Sequence, residues 1–99
     1  MEEALVFDLT DEVIEDYQIP PYIRETTVQR AVKESAARIG SLAENVNFEK
    51  DLTARELLKV RTYYSLNHIL DEFEKNYGPD IRAWQLGREV SEDETDENP

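Results

Sequence analysis

Apolar side chains recur every three or four residues through two long stretches of the chain, and this spacing limits the possible folds more than any other feature. An α-helix turns once in about 3.6 residues, so the spacing places these side chains on one helix face. In the first stretch, from about Pro21 to about Leu42, the positions are Ile23 or Thr27, then Val28, Val32, Ser35, Ile39 and Leu42. We therefore predict a long core-facing helix that begins at the proline pair Pro20-Pro21.

The second stretch begins with Thr53 and Glu56, which have the spacing of a capping box. We predict that this helix continues to about Tyr77, where Gly78 and Pro79 are a typical helix stop. Its apolar positions are Leu57, Leu58, Val60, Tyr63, Tyr64, Leu66, Ile69, Leu70, Phe73 and Tyr77. An apolar arc this wide predicts a central helix with several neighbours, and part of the arc is available to another subunit.

Shorter elements flank the two long helices. We predict a short N-terminal helix over Leu9–Tyr17 with Thr10 as its N-cap, after an irregular or briefly extended start. A loop is predicted over Ala43–Leu52, and a last short helix over Ile81–Leu86. The predicted fold class is all-α: a small bundle of two long antiparallel helices plus short N- and C-terminal helices.

The formal net charge of −12 is concentrated at the two ends of the chain. Residues 1–16 carry seven acids and no base, and residues 89–99 carry six acids and no base. We predict a single helical domain over residues 1–87 and an acidic, disordered tail over residues 88–99. The acidic ends should repel nucleic-acid phosphates. One interpretation of this charge is solubility alone. The more specific interpretation is a surface that avoids binding DNA or mimics it.

Composition also limits the compartment and the chemistry. The chain has no cysteine, which excludes disulfides and thiolate metal sites. Its apolar runs are only a few residues long, too short to span a membrane. The acidic N-terminus lacks the basic region of a signal peptide, so the cytoplasm is the default location.

The sequence contains no residue pattern typical of an enzyme, and we predict a protein that is not an enzyme and binds no metal or cofactor. His68 is the only histidine, so a histidine-based triad or metal site lacks its partners. The three glycines are isolated, so no glycine-rich phosphate loop is formed. We interpret His68 as a partly buried or interfacial residue.

The single tryptophan, Trp84, follows the predicted helix stop, with Ile81 and Leu86 close by in the same short segment. Two interpretations stay open. The segment either folds back and caps the core, or it docks onto a partner, since tryptophan is a favoured interface residue. For Tyr63 and Tyr64, core and interface positions are both open as well.

Two segments, "LTDEVIEDY" and "RTYYSLNHILDEFEKNYGPDIRAWQL", together resemble the head–tail connector family of tailed bacteriophages, also called adaptor or head-completion proteins. The resemblance covers about residues 9–86. It rests on the tyrosine-rich middle of the second long helix, the aromatic and acidic end of that helix, and the Asp-Ile step before Trp84. The acidic end, Glu89–Pro99, does not correspond to the family pattern.

The resemblance implies a structural virion protein. Such a protein binds the portal ring as a homo-oligomeric ring, extends the DNA channel and provides the attachment surface for the next connector or tail protein. DNA passes through the channel without specific binding. The implied location is the head–tail interface of the virion, and the host cytoplasm before assembly.

The resemblance also implies that the segment after the long helices docks onto the portal. The docking residues would be Ile81, Trp84 and Leu86. The candidate subunit interface consists of Tyr63, Tyr64 and His68. The alternative function, from another class, is a small acidic regulator or inhibitor, either a DNA-mimic anti-defence protein or an antitoxin.

Overall fold

The computed structural model describes the backbone of residues 1–97 and the side chains of residues 1–88. Its four helices are α1 (Glu3–Asp16), α2 (Glu25–Gly40), α3 (Leu52–Leu66) and α4 (Leu70–Glu97). No strand occurs in this described part, so the all-α prediction is confirmed. The central helix is α3, which packs against α1, α2 and α4, while α1 also packs against α2.

Helix α1 begins at Glu3, earlier than the predicted start at Leu9. Thr10, predicted as the N-cap, is instead fully buried inside the helix, and its hydroxyl donates a hydrogen bond to the Val6 carbonyl at 2.7 Å. The prediction was wrong because Val6 packs into the core with Leu9 and extends the helix by a further turn. Packing of an apolar face stabilises such a turn more than local capping preferences do.

Helix α2 lies within the predicted stretch. The side chains of Val28, Val32, Ser35 and Ile39 are fully buried, which confirms the predicted core-facing stripe. Thr27 is exposed at the first turn, so it is not part of that stripe.

The predicted helix over Thr53–Tyr77 is two helices, α3 and α4, because the chain turns at His68. His68 has a left-handed backbone conformation with φ of 60°. Its N–H donates to the Ser65 carbonyl at 3.0 Å, and the Ile69 N–H donates to the Tyr64 carbonyl at 3.0 Å. This pair of bonds is a Schellman motif, which usually has glycine at the left-handed position. The sequence prediction missed the turn because histidine is there instead.

Helix α1 ends in the same motif. Gln18 has φ of 49°, its N–H donates to the Glu15 carbonyl, and the Ile19 N–H donates to the Ile14 carbonyl at 3.1 Å. Both motifs have isoleucine directly after the left-handed residue, where an apolar contact commonly accompanies the turn.

Helix α4 continues through Gly78 and Pro79, so the predicted stop there is wrong and Ile81–Leu86 is not a separate helix. Proline has no N–H to donate to the carbonyl four residues before it, that of Lys75. Both Pro79 and Lys75 are exposed, so water can reach this carbonyl. Buried side chains on both sides of Pro79 pack the helix against the core; they are Phe73, Ile81 and Trp84.

The bounds of α4 reach Glu97, within the stretch predicted as an acidic disordered tail. The side chains of residues 89–99 and the backbone of residues 98–99 lie outside the described residues. Disorder of the tail in the isolated protein therefore stays a prediction. Within the described part of the chain, no helix is long and apolar enough to cross a membrane.

Candidate protein interaction site

Asp51 joins the beginning of α3 to the later part of α4. Its Oδ1 accepts a hydrogen bond from the Ala54 N–H at 3.0 Å, so Asp51 is the N-cap of α3 in place of the predicted Thr53. Its Oδ2 accepts from Trp84 Nε1 at 2.9 Å and from Arg88 Nη1 at 2.9 Å. One carboxylate thus starts a helix and positions two side chains of another helix.

Burial by itself would raise the pKa of Asp51, because it disfavours the charged carboxylate. The hydrogen bonds from Trp84, from the Ala54 N–H and from Arg88 outweigh that effect and hold the pKa below its ordinary value of 3.8. The carboxylate that joins the two helices is therefore ionised at neutral pH.

Two of the three predicted portal-docking residues are buried in the chain's own core. Ile81 is 7% exposed and Trp84 is 6% exposed, whereas Leu86 is 61% exposed. The guanidinium of Arg88 lies over the Trp84 ring, 5.6 Å from its centre. The structure therefore has the arrangement of the first interpretation, in which Trp84 caps the core, and it leaves only Leu86 on the surface.

The exposed Leu86 lies beside the chain segment that follows α2. The Leu86 surface is formed by Leu42, Ala43, Arg82 and Leu86. Next to it, the Gln85 side chain donates a hydrogen bond to the Leu42 carbonyl at 2.6 Å, which ties α4 to this segment. An exposed leucine on a firmly packed helix is a suitable contact for a partner.

The residues of the candidate subunit interface make different contacts, although the rings of Tyr63 and Tyr64 meet edge to face with centres 6.4 Å apart. Tyr63 stacks on Tyr17 of α1, with ring centres 4.9 Å apart. Tyr64 points towards α4, where it makes edge contacts with Phe73 and Tyr77 at 5.8 Å and 5.9 Å. His68 is exposed in the turn and lines one groove together with Tyr63. A subunit contact stays a prediction, and this groove is the place where Tyr63 and His68 could share it.

A buried cation lies between α1 and α3. Lys59 Nζ is 2.7 Å from Asp16, 3.2 Å from Glu12 and 3.2 Å from Glu56. Burial alone would lower the pKa of Lys59, but hydrogen bonds to the three carboxylates hold it above its ordinary value. Arg55 also pairs with Glu12 and donates to the Phe48 carbonyl. The cations therefore tie α1 to α3 from inside the bundle.

An open groove of about 790 Å³ runs between α3 and α4. Its apolar lining comes from Leu57, Val60, Tyr77, Ala83, Trp84 and Gly87. Glu56 and Asp80 also line it. The groove was not predicted from the sequence, because Gly78 and Pro79 are typical of a helix end. The available signal was the spacing of Tyr77, Asp80, Ala83 and Gly87, which places them on one face of a continuous helix.

In the part of the chain with described side chains, no group of three or more His, Cys, Asp or Glu side chains could hold a metal ion. Comparison of the chain with protein-family models, with curated proteins and with solved structures gave no match. The site is therefore characterised by its geometry: an apolar groove lined by the carboxylates of Glu56 and Asp80, with an exposed leucine nearby.

Proposed function

We propose that this chain is a structural assembly protein, a head–tail connector of a tailed bacteriophage. In this proposal it binds the portal ring as a homo-oligomeric ring and extends the DNA channel. It also provides the attachment surface for the next connector or tail protein. The protein acts in the virion at the head–tail interface and through protein contacts.

The exposure of Leu86 is the observation that carries the proposal. Of the three residues that the family resemblance assigns to portal docking, Leu86 alone is largely exposed, while Ile81 and Trp84 hold the same helix in the core. A leucine presented by a packed helix loses little conformational freedom when a partner covers it. The docking contact would then be the Leu86 surface, with Ile81 and Trp84 as its internal support.

The charge on α1 supports a role near DNA that does not involve binding DNA. Asp8, Asp11 and Glu15 are exposed on one face of α1, and this helix has no basic residue. Such an acidic stripe repels phosphates, so a channel lined by it would let DNA slide.

The test is co-expression with portal proteins of tailed bacteriophages, followed by size-exclusion chromatography and electron microscopy of the complexes. We expect rings of the chain on the portal, and we expect Leu86→Arg to abolish them. Leu52→Arg is the matched control, since Leu52 is also an exposed leucine, at 69%, on a different helix. Portal binding that survives Leu86→Arg would contradict the docking contact, and absence of any complex with the wild-type chain would contradict the function.

The acidic stripe of α1 also favours the second candidate function, a DNA-mimic inhibitor. Three carboxylates on the face of a folded helix are the kind of array that a basic nuclease could bind. Salt-sensitive binding to a basic nuclease, lost when Asp8 and Asp11 are both changed to Asn, would favour this candidate. The portal complex should be unaffected by the same change.

A further inference from the structure

Among the described residues, one side of the central helix faces no other helix. Helix α3 packs against each of the other three helices, whereas α1 and α4 do not contact each other within the described residues. The open groove described above lies on this side. On α3, Thr53 and Glu56 are exposed there and Val60 is half-buried. A bundle position that another helix could occupy is therefore vacant.

The floor of the groove is apolar, and two of the α4 residues that border it are small. Leu57 and Val60 of α3 meet Tyr77 and Trp84 of α4 at the floor. Ala83 and Gly87 border it from α4, four residues apart and hence on successive turns of one helix face. Such small residues allow a partner backbone to come close to α4.

The charge that a partner meets at the α3 side of this groove is negative, although the cations Arg55 and Lys59 lie on the same helix. The side chains of Lys59 and Arg55 are only 6% and 17% exposed. The carboxylates that Lys59 pairs with are nearer to water: Glu56 is 64% exposed and Asp16 is 52% exposed. The cations are thus turned inward and the acids outward.

The α4 side of the groove has the same sign. Asp80 is exposed on this side and has no ion pair within the described residues. Arg88, at 22% side-chain exposure, is held by Asp51 and by the Glu44 carbonyl. Both rims therefore present free or outward-facing carboxylates.

We propose that this groove binds an amphipathic helix of a partner protein, with an apolar stripe flanked by lysine or arginine. An extended strand is excluded as the occupant because strand addition needs the free backbone edge of a sheet, and both sides of this groove are helices. A helix contacts the groove through side chains alone, and its basic flanks meet the outward carboxylates. Leu86 does not line this groove, although the groove and the Leu86 surface adjoin at Arg88, and the inference goes beyond the proposed function.

The experiment uses a synthetic amphipathic helix built from leucine and lysine, and a matched helix in which glutamate replaces lysine. Binding to the full chain is followed by backbone amide chemical shifts and by Trp84 emission. We expect the leucine–lysine helix to shift amides of residues 53–60 and 77–87, and the leucine–glutamate helix not to bind.

Ala83→Arg fills the groove with a bulky cation and should weaken binding at least about tenfold, which corresponds to about 1.4 kcal/mol. Ala37→Arg is the matched control, because Ala37 is also an exposed alanine inside a helix and the charge change is the same. We expect Ala37→Arg and Leu86→Arg to bind like the wild type, which separates this proposal from portal docking.

Three outcomes would overturn the proposal. Equal binding to the Ala83→Arg and Ala37→Arg variants, with shifts centred on α1, would mean general adhesion to an acidic surface. Binding of the leucine–glutamate helix would show that the carboxylates beside the groove do not select a basic partner. Self-association of the wild-type chain in sedimentation experiments, abolished by Ala83→Arg, would mean that a second copy is the occupant.

Discussion

Trp84 Nε1 donates a hydrogen bond of 2.9 Å to Asp51 Oδ2, across 33 residues of sequence. The same carboxylate caps α3 through Oδ1. The start of one helix and the later part of another are therefore joined by a single side chain. This relationship explains why the only tryptophan lies after the Gly-Pro pair and is still part of the core.

Two substitutions of Asp51 should distinguish its role as the N-cap of α3 from its contacts with Trp84 and Arg88. Asp51→Ala removes the N-cap, the Trp84 acceptor and the Arg88 ion pair, and we expect it to lower the free energy of unfolding by about 2–3 kcal/mol. Asp51→Asn keeps a capping oxygen and should cost about half as much. Urea denaturation followed by circular dichroism measures both. A loss below about 0.5 kcal/mol for Asp51→Ala would show that α4 does not depend on this contact.

Removing the buried cation should expose repulsion among its carboxylates. Lys59→Met leaves Glu12, Asp16 and Glu56 without their shared partner, and we expect it to lower the free energy of unfolding by about 1–3 kcal/mol. The loss should shrink in high salt, which screens the remaining charges. Lys33→Met is the control, because Lys33 forms only an exposed 3.9 Å pair with Glu3 and should change stability by less than about 0.5 kcal/mol. Equal losses for the two variants would contradict the prediction.

Acid should destabilise the fold through Glu12. The hydrogen bond from Arg55 holds the pKa of Glu12 below its ordinary value of 4.5; burial opposes this effect and Lys59 adds to it. Near that pH the unfolded chain binds more protons than the folded chain. The stabilisation is therefore complete above pH 4.5 and is lost as the pH falls through the folded-state pKa.

We expect the free energy of unfolding to fall as the pH drops below about 4.5, and Glu12→Gln to flatten that dependence. Glu15→Gln, at an exposed position of the same helix, should leave it unchanged. Urea titrations at each pH provide the measurement. An unaltered pH profile in Glu12→Gln would mean that the pair with Arg55 does not contribute to acid sensitivity.

Glycine in place of His68, at the turn between α3 and α4, should raise the free energy of unfolding. His68 has φ of 60°, a conformation that costs a side-chain-bearing residue about 1–2 kcal/mol. Glycine relieves this cost but makes the unfolded chain more flexible, so the net gain for His68→Gly should be about 0.5–1 kcal/mol. Asn67→Gly, at a neighbouring position with φ of −96°, should bring no gain. Thermal unfolding measures both, and a lower melting temperature for His68→Gly would contradict the strain argument.

The proline inside α4 should limit the stability of that helix. Pro79→Ala restores a donor for the Lys75 carbonyl, and we expect a gain of about 1–2 kcal/mol. Gly78→Ala should add about 0.5–1 kcal/mol, because its new Cβ would lie at an ordinary contact distance of 3.7 Å from Arg82 Nη1. A destabilised Pro79→Ala variant would instead mean that Ile81 and Trp84 need the helix geometry that proline imposes.

The sequence alone determined the helical class and the buried stripe of α2. An apolar period close to 3.6 residues places side chains on one face only in an α-helix. The sequence also located seven acids and no base within residues 1–16. Local signals failed at the helix ends. His68 takes a left-handed conformation that usually indicates glycine, and the Gly78-Pro79 pair lies inside a helix.

Only the tertiary structure decided these points, because the packing of Phe73 and Trp84 on either side of the proline outweighs the lost hydrogen bond. The same packing decided the functional surface. Asp51 and Trp84 meet only when α4 folds back along α3, so the groove between these helices exists only in the folded chain. The sequence shows only that the α4 residues of the groove share one helix face.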